Sequence, residues 1–560
     1  MKRLNGAVLL VLALTLLAFG LRVYHVDAMS VWTDEGLSIY RARSPLLQNL
    51  RGEIDIQGVP TTDTHPPLYF LMLSGWSKLT GETEFALRFL SVIAGTLIVP
   101  LAYVTGKRLW AREVGMWFAA LIATSPFYWW HARDARMYTW LALWALLSVY
   151  LIISSLQTVP LTRRRFLLGL LCLAATVLTH YTGVILATAL AVATFVVLWR
   201  TQRRWAISML AVLAILAVPA LVFALGRLHG AEFPQYRPFQ EMLFETWNVF
   251  SLGASREQMR PLEFLVIFPA LGVVGLIGLA GQRRWGLLSF IGLWLFAPLI
   301  AFYLISLIKP AYVNPRNLSI ALPAFLLLIA GGLAVLRRFA WPLAAIAFAV
   351  VLIEYGAATY QQATDPNLMK DDIRSLVQHI QANYQPGDAV VLHDAIIQLA
   401  FDYYARGTLP VTAIPRYGTY ANSQQAVRDL QQIVNGSKRL WFVDHPAPVG
   451  FSPDLLPTWL KQHTYRLSGT NFYGNNTGAH VNLLQTHTPV VDHLPSAAMA
   501  LAAHAPEIDF AGSAVPTQAW PADQALPVTT YWQATKRAEP LALVLELIDA
   551  QGNVWARREE

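Results

Sequence analysis

The feature that most tightly bounds this chain is a series of apolar runs. Each is about 20 residues long, the length a helix needs to cross a bilayer, and they recur from Ala7 to Tyr360 before stopping. About eleven such runs are counted, at roughly 5–23, 84–106, 113–130, 137–157, 165–180, 182–199, 205–226, 262–281, 286–308, 317–336 and 340–358. A chain of 560 residues that is 55% hydrophobic and only 14% charged agrees with a polytopic α-helical membrane protein and excludes an ordinary soluble enzyme. The predicted fold is therefore a membrane domain over 1–360, followed by a sequence of mixed, soluble character.

Basic residues fix the phase of the spans. Lys2-Arg3, Lys107-Arg108 with Arg112, Arg163 to Arg165, Arg200 to Arg204, Arg283-Arg284 and Arg337-Arg338 occupy every second loop, which the positive-inside rule places in the cytoplasm. The N-terminus is then cytoplasmic in a plasma membrane. The loops near 24–83, 131–136, 180–182, 227–261 and 309–316, together with everything after 360, face outward. Much of the formal charge of +8 lies in these short loops and is read as topology, so no nucleic-acid partner is implied. Lys2-Arg3 and the first apolar run look like a secretory signal, but no small-residue cleavage site follows, so the run is expected to be an uncleaved span. The single Cys172 lies within a span and forms no intrachain disulfide.

After 360 the hydropathy shortens. Asp371 to Tyr384 reads as an amphipathic helix, Ala389 to Leu392 as a strand, Ile396 to Arg406 as a helix and Arg439 to Val443 as a strand. This predicts an extracytoplasmic α/β accessory domain over 361–490; no GxGxxG follows either strand to support nucleotide binding. Val528 to Trp532 and Ala542 to Ile548, the latter followed by the Asp549 to Asn553 turn, predict a partial β-sandwich over 505–560. In the first external loop, too long for a bare connector, Gly36 to Leu50 and Leu68 to Leu79 are expected as two helices lying at the membrane interface.

The chemistry-bearing residues lie in the outward loops. Asp34-Glu35, beside Trp32, either cap the helix that follows or supply a general base. His65, ahead of Pro66-Pro67, either hydrogen-bonds a phosphate or sugar hydroxyl or is an ordinary interfacial histidine. Arg133 and Arg136 run against the scarcity of arginine outside, which suits an anion site; alternatively they pair locally with Asp134. Lys309 and Arg316 either hold a phosphate leaving group or bind lipid head groups. Tyr138 and the outer-end His180 complete the set. No HExxH or paired His/Cys spacing argues for a metal, and a divalent cation is left open.

Taken in order, the Asp-Glu pair, the HPPLY segment, the Glu84 to Arg88 opening, ARDARMY and the late NPRN followed by Pro323 resemble the GT-C glycosyltransferases. The resemblance is to bacterial relatives of protein O-mannosyltransferases and of lipid A aminoarabinose transferases, and it covers roughly 1–360. It implies an inverting transfer of a sugar from a polyprenyl-phosphate donor to a lipid, glycan or protein acceptor. Asp34 takes the position of the base, with Glu35 as its neighbour. Arg136, Lys309 and Arg316 fall where such enzymes hold the carrier phosphate, although Asn317 stands where a tyrosine is commoner. The alternative is a transporter or lipid-carrier flippase, but no internal repeat is found, and the polar candidates cluster in loops rather than mid-span.

Overall fold

The computed structural model describes residues 6–56, 58–63, 65–158, 161–227, 238–253, 266–308, 314–393, 395–416, 422–446, 451–474, 478–486, 499–505, 508–514, 528–534, 544–548 and 554–559. Within it a helix coincides with every apolar run. They are α1 (Gly6–Val23), α5 (Glu84–Leu109), α6 (Arg112–Thr124) with α7 (Pro126–Ala132), α8 (Tyr138–Leu156), α9 (Arg163–Thr179), α10 (Gly183–Leu198), α11 (Arg203–Arg227), α13 (Ile267–Gly281), α14 (Trp285–Ile308), α15 (Leu322–Phe339) and α16 (Trp341–Thr364). Six of the described helices are long and apolar enough to cross a bilayer. Leucines left bare on α1, α9 and α14, such as Leu12, Leu16, Leu171 and Leu304, suit contact with lipid. The protein is a multi-pass membrane protein.

Small residues set the closest helix contacts. A Cβ on Gly332 would lie 2.0 Å from the Leu271 carbonyl oxygen, and one on Gly275 would lie 2.3 Å from that of Leu328. α13 and α15 therefore touch backbone to backbone, as small residues allow in apolar surroundings where burying side chains from water gives no drive. The expected span over 113–130 is broken at Ser125-Pro126, because proline removes a helical donor and cannot continue the ladder.

The first long loop departs from expectation. The stretch Gly36 to Leu50 forms two helices, α2 (Thr33–Arg43) and α3 (Leu46–Arg51), separated by Ser44-Pro45, since the residue before a proline avoids helical dihedrals. A hairpin of β1 (Glu53–Ile56) and β2 (Val59–Thr62) follows, and then α4 (Leu68–Thr80), which starts behind Pro67 as expected. A further helix, α12 (Phe239–Leu252), lies in the loop 227–261, where no apolar run announces it.

Beyond α16 come α17 (Ile373–Asn383), β3 (Asp388–Leu392), α18 (Gln398–Ala405), β4 (Val411–Ala413), α19 (Ser423–Gly436), β5 (Arg439–Asp444), α20 (Leu455–His463), β6 (Tyr465–Phe472) and β7 (Ala479–Gln485). The sheet order is β4-β3-β5-β7-β6, with β4, β3 and β5 parallel and β7 and β6 antiparallel to their neighbours. The βαβ reading of the sequence matches this core. The last strands are β8 (Met499–Ala505), β9 (Ile508–Ala514), β10 (Thr529–Ala534), β11 (Val544–Ile548) and β12 (Val554–Glu559); β8 to β10 pair in one sheet and β11 with β12 in another.

One apolar core joins the first loop to the α/β unit. Val31, Ile39, Tyr69, Phe70 and Leu73 pack in one cluster with Ile373, Leu376, Ile397, Ala400 and Phe401. α2 does not merely float on a membrane surface, because α18 covers it: a Cβ at Gly36 would meet the Ala400 backbone nitrogen at 2.6 Å.

Candidate active site

Two chain segments converge on the start of α2. The segment Arg133 to Met137 turns between α7 and α8. The tight helical turn Pro315–Ala321 opens on Asn314, whose side chain accepts from the Arg316 backbone N–H at 3.0 Å, fixing where Arg316 leaves the chain. Between these two segments lies Asp34. Arg316 Nη1 is 2.8 Å from Asp34 Oδ2, and Arg136 Nε is 4.0 Å from the same oxygen. Arg136 Nη1 also donates to the Asp34 carbonyl at 3.1 Å and to Ser38 Oγ at 3.3 Å. The Arg316 guanidinium lies 5.7 Å from the Trp32 ring and 5.8 Å from the Tyr138 ring. Asp34 is therefore held in a cationic, aromatic-walled recess.

Asp34 and Glu35 differ in what can reach them. The Asp34 side chain keeps 22% of its exposure and the Glu35 side chain 1%. Glu35 receives Arg88 Nε at 2.8 Å and Nη2 at 2.6 Å, the Ala135 N–H at 2.8 Å and Lys370 Nζ at 3.2 Å. Buried and met by these donors, Glu35 offers almost no surface for a substrate to reach. Arg88 also donates to the carbonyls of Val26, Met29 and Ser30.

The charges have identifiable causes. Burial pushes the Asp34 carboxyl up, but the guanidiniums of Arg316 and Arg136, and then His65, outweigh it and hold the carboxyl below its ordinary value. Burial acts on the Asp63 carboxyl in the same way, and there His65 and Arg41 outweigh it and depress the group. His65 Nδ1 is 2.6 Å from Asp63 Oδ1, and Arg41 donates to Asp63 Oδ2 at 2.7 Å and to the His65 carbonyl at 3.0 Å. A carboxylate can only accept, so Nδ1 carries the proton and Nε2 is left as the acceptor of a neutral ring. Burial lowers the His65 imidazole below its usual range, which keeps that ring neutral at pH 7.

The remaining candidates separate clearly. The His180 ring lies 5.8 Å from that of His65 and 6.4 Å from that of Tyr138, and its Nδ1 faces the Thr182 hydroxyl at 2.8 Å; both His180 and Tyr138 belong to the wall. Arg133 turns away: it donates to the His25 carbonyl at 2.5 Å and stacks 4.4 Å over Trp129. Asp134 is buried against Trp32 Nε1 at 3.1 Å and Lys370 at 3.2 Å, which closes it to a ligand. Lys309 falls outside the described residues. Sequence reasoning does not single out Arg41, Asp63, Arg88 or Lys370 as site residues. Of these, only Arg88 carries a signal, as a charge four residues into an apolar run. Among the described residues no group of three His, Cys, Asp or Glu is arranged to hold a metal ion.

Solved structures share this architecture. ArnT from Cupriavidus metallidurans in the apo state superposes with a TM-score of 0.57 at 14% identity, over 85% of this chain and 98% of that one. The chain has the GT-C fold. The same ArnT bound to undecaprenyl phosphate gives a TM-score of 0.53 at 15% identity, covering 86% and 98%. The oligosaccharyltransferase AglB from Archaeoglobus fulgidus, in complex with an inhibitory peptide and a dolichol-phosphate, gives 0.52 at 13% identity, covering 84% and 74%. Residues 64–225 match the family model of dolichyl-phosphate-mannose-protein mannosyltransferases. A comparison with curated protein sequences finds no match.

Proposed function

We propose that the protein is a membrane glycosyltransferase that moves a sugar from a polyprenyl-phosphate donor to an acceptor on the extracytoplasmic side, with inversion. The observation that carries this reading is a partly exposed carboxylate, Asp34, set between the guanidiniums of Arg316 and Arg136 at the loop end of an apolar helix bundle. The match to mannosyltransferases and the lipid phosphates in the ArnT and AglB structures suggest the donor class.

In the proposed step the donor phosphate engages Arg316 and Arg136, which draws them off Asp34 and raises its basicity. The acceptor oxygen attacks the anomeric carbon as the carbon–oxygen bond to phosphate breaks. Its proton passes to Asp34, and the leaving phosphate is stabilised by the arginines. Fixed charge at the leaving group and general base action are each worth about 10²-fold or more. The decisive test incubates membranes with a panel of radiolabelled polyprenyl-phosphate sugars and follows label in the acceptor fraction. Transfer from at least one carrier supports the reading, whereas label that only crosses the membrane without forming a new glycosidic bond sinks it in favour of a flippase.

A further inference from the structure

The segment between α16 and α17 sends one side chain back under the catalytic loop. Lys370, buried, donates to the Arg133 carbonyl and to Asp134 Oδ1 and forms an ion pair with Glu35 Oε1, each at 3.2 Å. Glu35 and Asp134 against Arg88 and Lys370 make a buried, charge-balanced quartet, and taking one charge from such a set is far more costly than removing the set. Burial pushes the Asp134 carboxyl up and the Lys370 ammonium down; Lys370 is the leading cation opposing the first shift, and Asp134 the leading anion opposing the second. The two acids lie next to the groups that matter: Glu35 follows Asp34, and Asp134 is two residues before Arg136. Around the lysine the α/β unit is fastened to the same strip of chain. Arg374 Nη2 donates to the Asp27 carbonyl at 2.7 Å and pairs with Glu84, and Tyr404 Oη accepts from the Val31 N–H at 2.6 Å.

Resting on the glycosyltransferase reading, we infer that Lys370 is a positioning residue through which the α/β unit completes the catalytic site, by fixing the distance between the Asp34 helix start and the Arg136 turn. Among the described residues, this lysine from beyond the membrane domain is the one charged side chain that binds both segments at once and also ties them to the α/β unit. The unit is thereby a structural part of the active site rather than an appendage.

The test uses the full-length chain in detergent with a donor found active by the carrier panel. Lys370→Met is expected to lower kcat for transfer about 10-fold or more while donor KM changes less than about 3-fold, because Arg136 and Arg316 remain to hold the phosphate. Lys370→Met combined with Asp134→Asn restores the charge balance, so it should recover thermal stability yet leave kcat low. Lys370→Arg is expected to recover part of the rate. A folded Lys370→Met chain with parental kcat, or a double variant whose kcat returns together with its stability, overturns the positioning role. A parent inactive with every carrier instead indicts the glycosyltransferase reading.

Discussion

A carboxylate 2.8 Å from a guanidinium is a poor base until that cation finds another partner, and this sets how Asp34 should respond to change. Asp34→Asn keeps the shape and removes the proton acceptor, so transfer should fall about 10²-fold or more with donor binding retained, read by single-turnover transfer beside a filter-binding assay. Equal losses of binding and rate would assign Asp34 to the donor instead. Arg136→Ala and Arg316→Ala should each weaken donor affinity at least about 10-fold, and lysine should restore it only in part because it lacks the planar fork. Unaltered affinity in both alanine variants removes them from the phosphate site. The pH sign follows from the same pair. Burial raises the Asp34 carboxyl and Arg316 is the leading cation that lowers it, so removing Arg316 raises that pKa. The acid limb of kcat/KM should then move to higher pH in Arg316→Gln. Arg136 and Arg316 are legible in the sequence because arginine in these loops contradicts the charge bias of the others, and Asp34 because an acid pair follows a span directly. Of the partners of Glu35, Arg88 leaves a trace as a charge in an apolar run, but Lys370 does not, since it lies 236 residues beyond its other carboxylate, Asp134, and no local pattern records such a link.

At the scale of elements, α2 carries the site, because one of its faces presents Asp34 and Ser38 to Arg136 while another is closed by α18. Gly36 sits where these helices touch: a Cβ there would meet the Ala400 nitrogen at 2.6 Å and the Leu399 carbonyl carbon at 2.8 Å, so any side chain must displace backbone rather than a flexible group. Gly36→Leu should therefore part α18 from α2, making the α/β unit easier to cleave in limited proteolysis and lowering transfer at least several-fold, with the transmembrane helices intact. A variant that keeps both protease resistance and rate would show that α2 tolerates the loss of this contact. Most helices can be read from apolar length alone, since a bilayer admits few alternatives. Breaks can be placed only where a proline signals them, as at Pro45 and Pro126. The first strand of the hairpin alternates as Glu53-Ile54-Asp55-Ile56 but spans only four residues, and the second, Val59-Pro60-Thr61-Thr62, has no apolar alternation to mark it as a strand.

For the whole molecule, the proposed orientation rests on where the cations lie and on what the site needs. α9 runs from Arg163 toward His180 in the wall of the recess, and α15 runs from the Arg316 turn to Arg337 and Arg338. These basic clusters thus stand at the helix ends remote from Asp34, in loops that the positive-inside rule assigns to the cytoplasm. The α/β unit packs against α2 in one apolar cluster, so site and unit share one face of the membrane. A donor made on the inside would have to be presented outside for this arrangement to act on it, and the unit would be folded in that outer compartment. Reporter fusions placed after Trp110 and after Thr364 separate the two orientations. The first should report cytoplasm and the second the outer side. A cytoplasmic signal after Thr364 would put Lys370, Asp34 and both arginines on the inner face, and the extracytoplasmic acceptor would fall with it, even if the transfer chemistry survived.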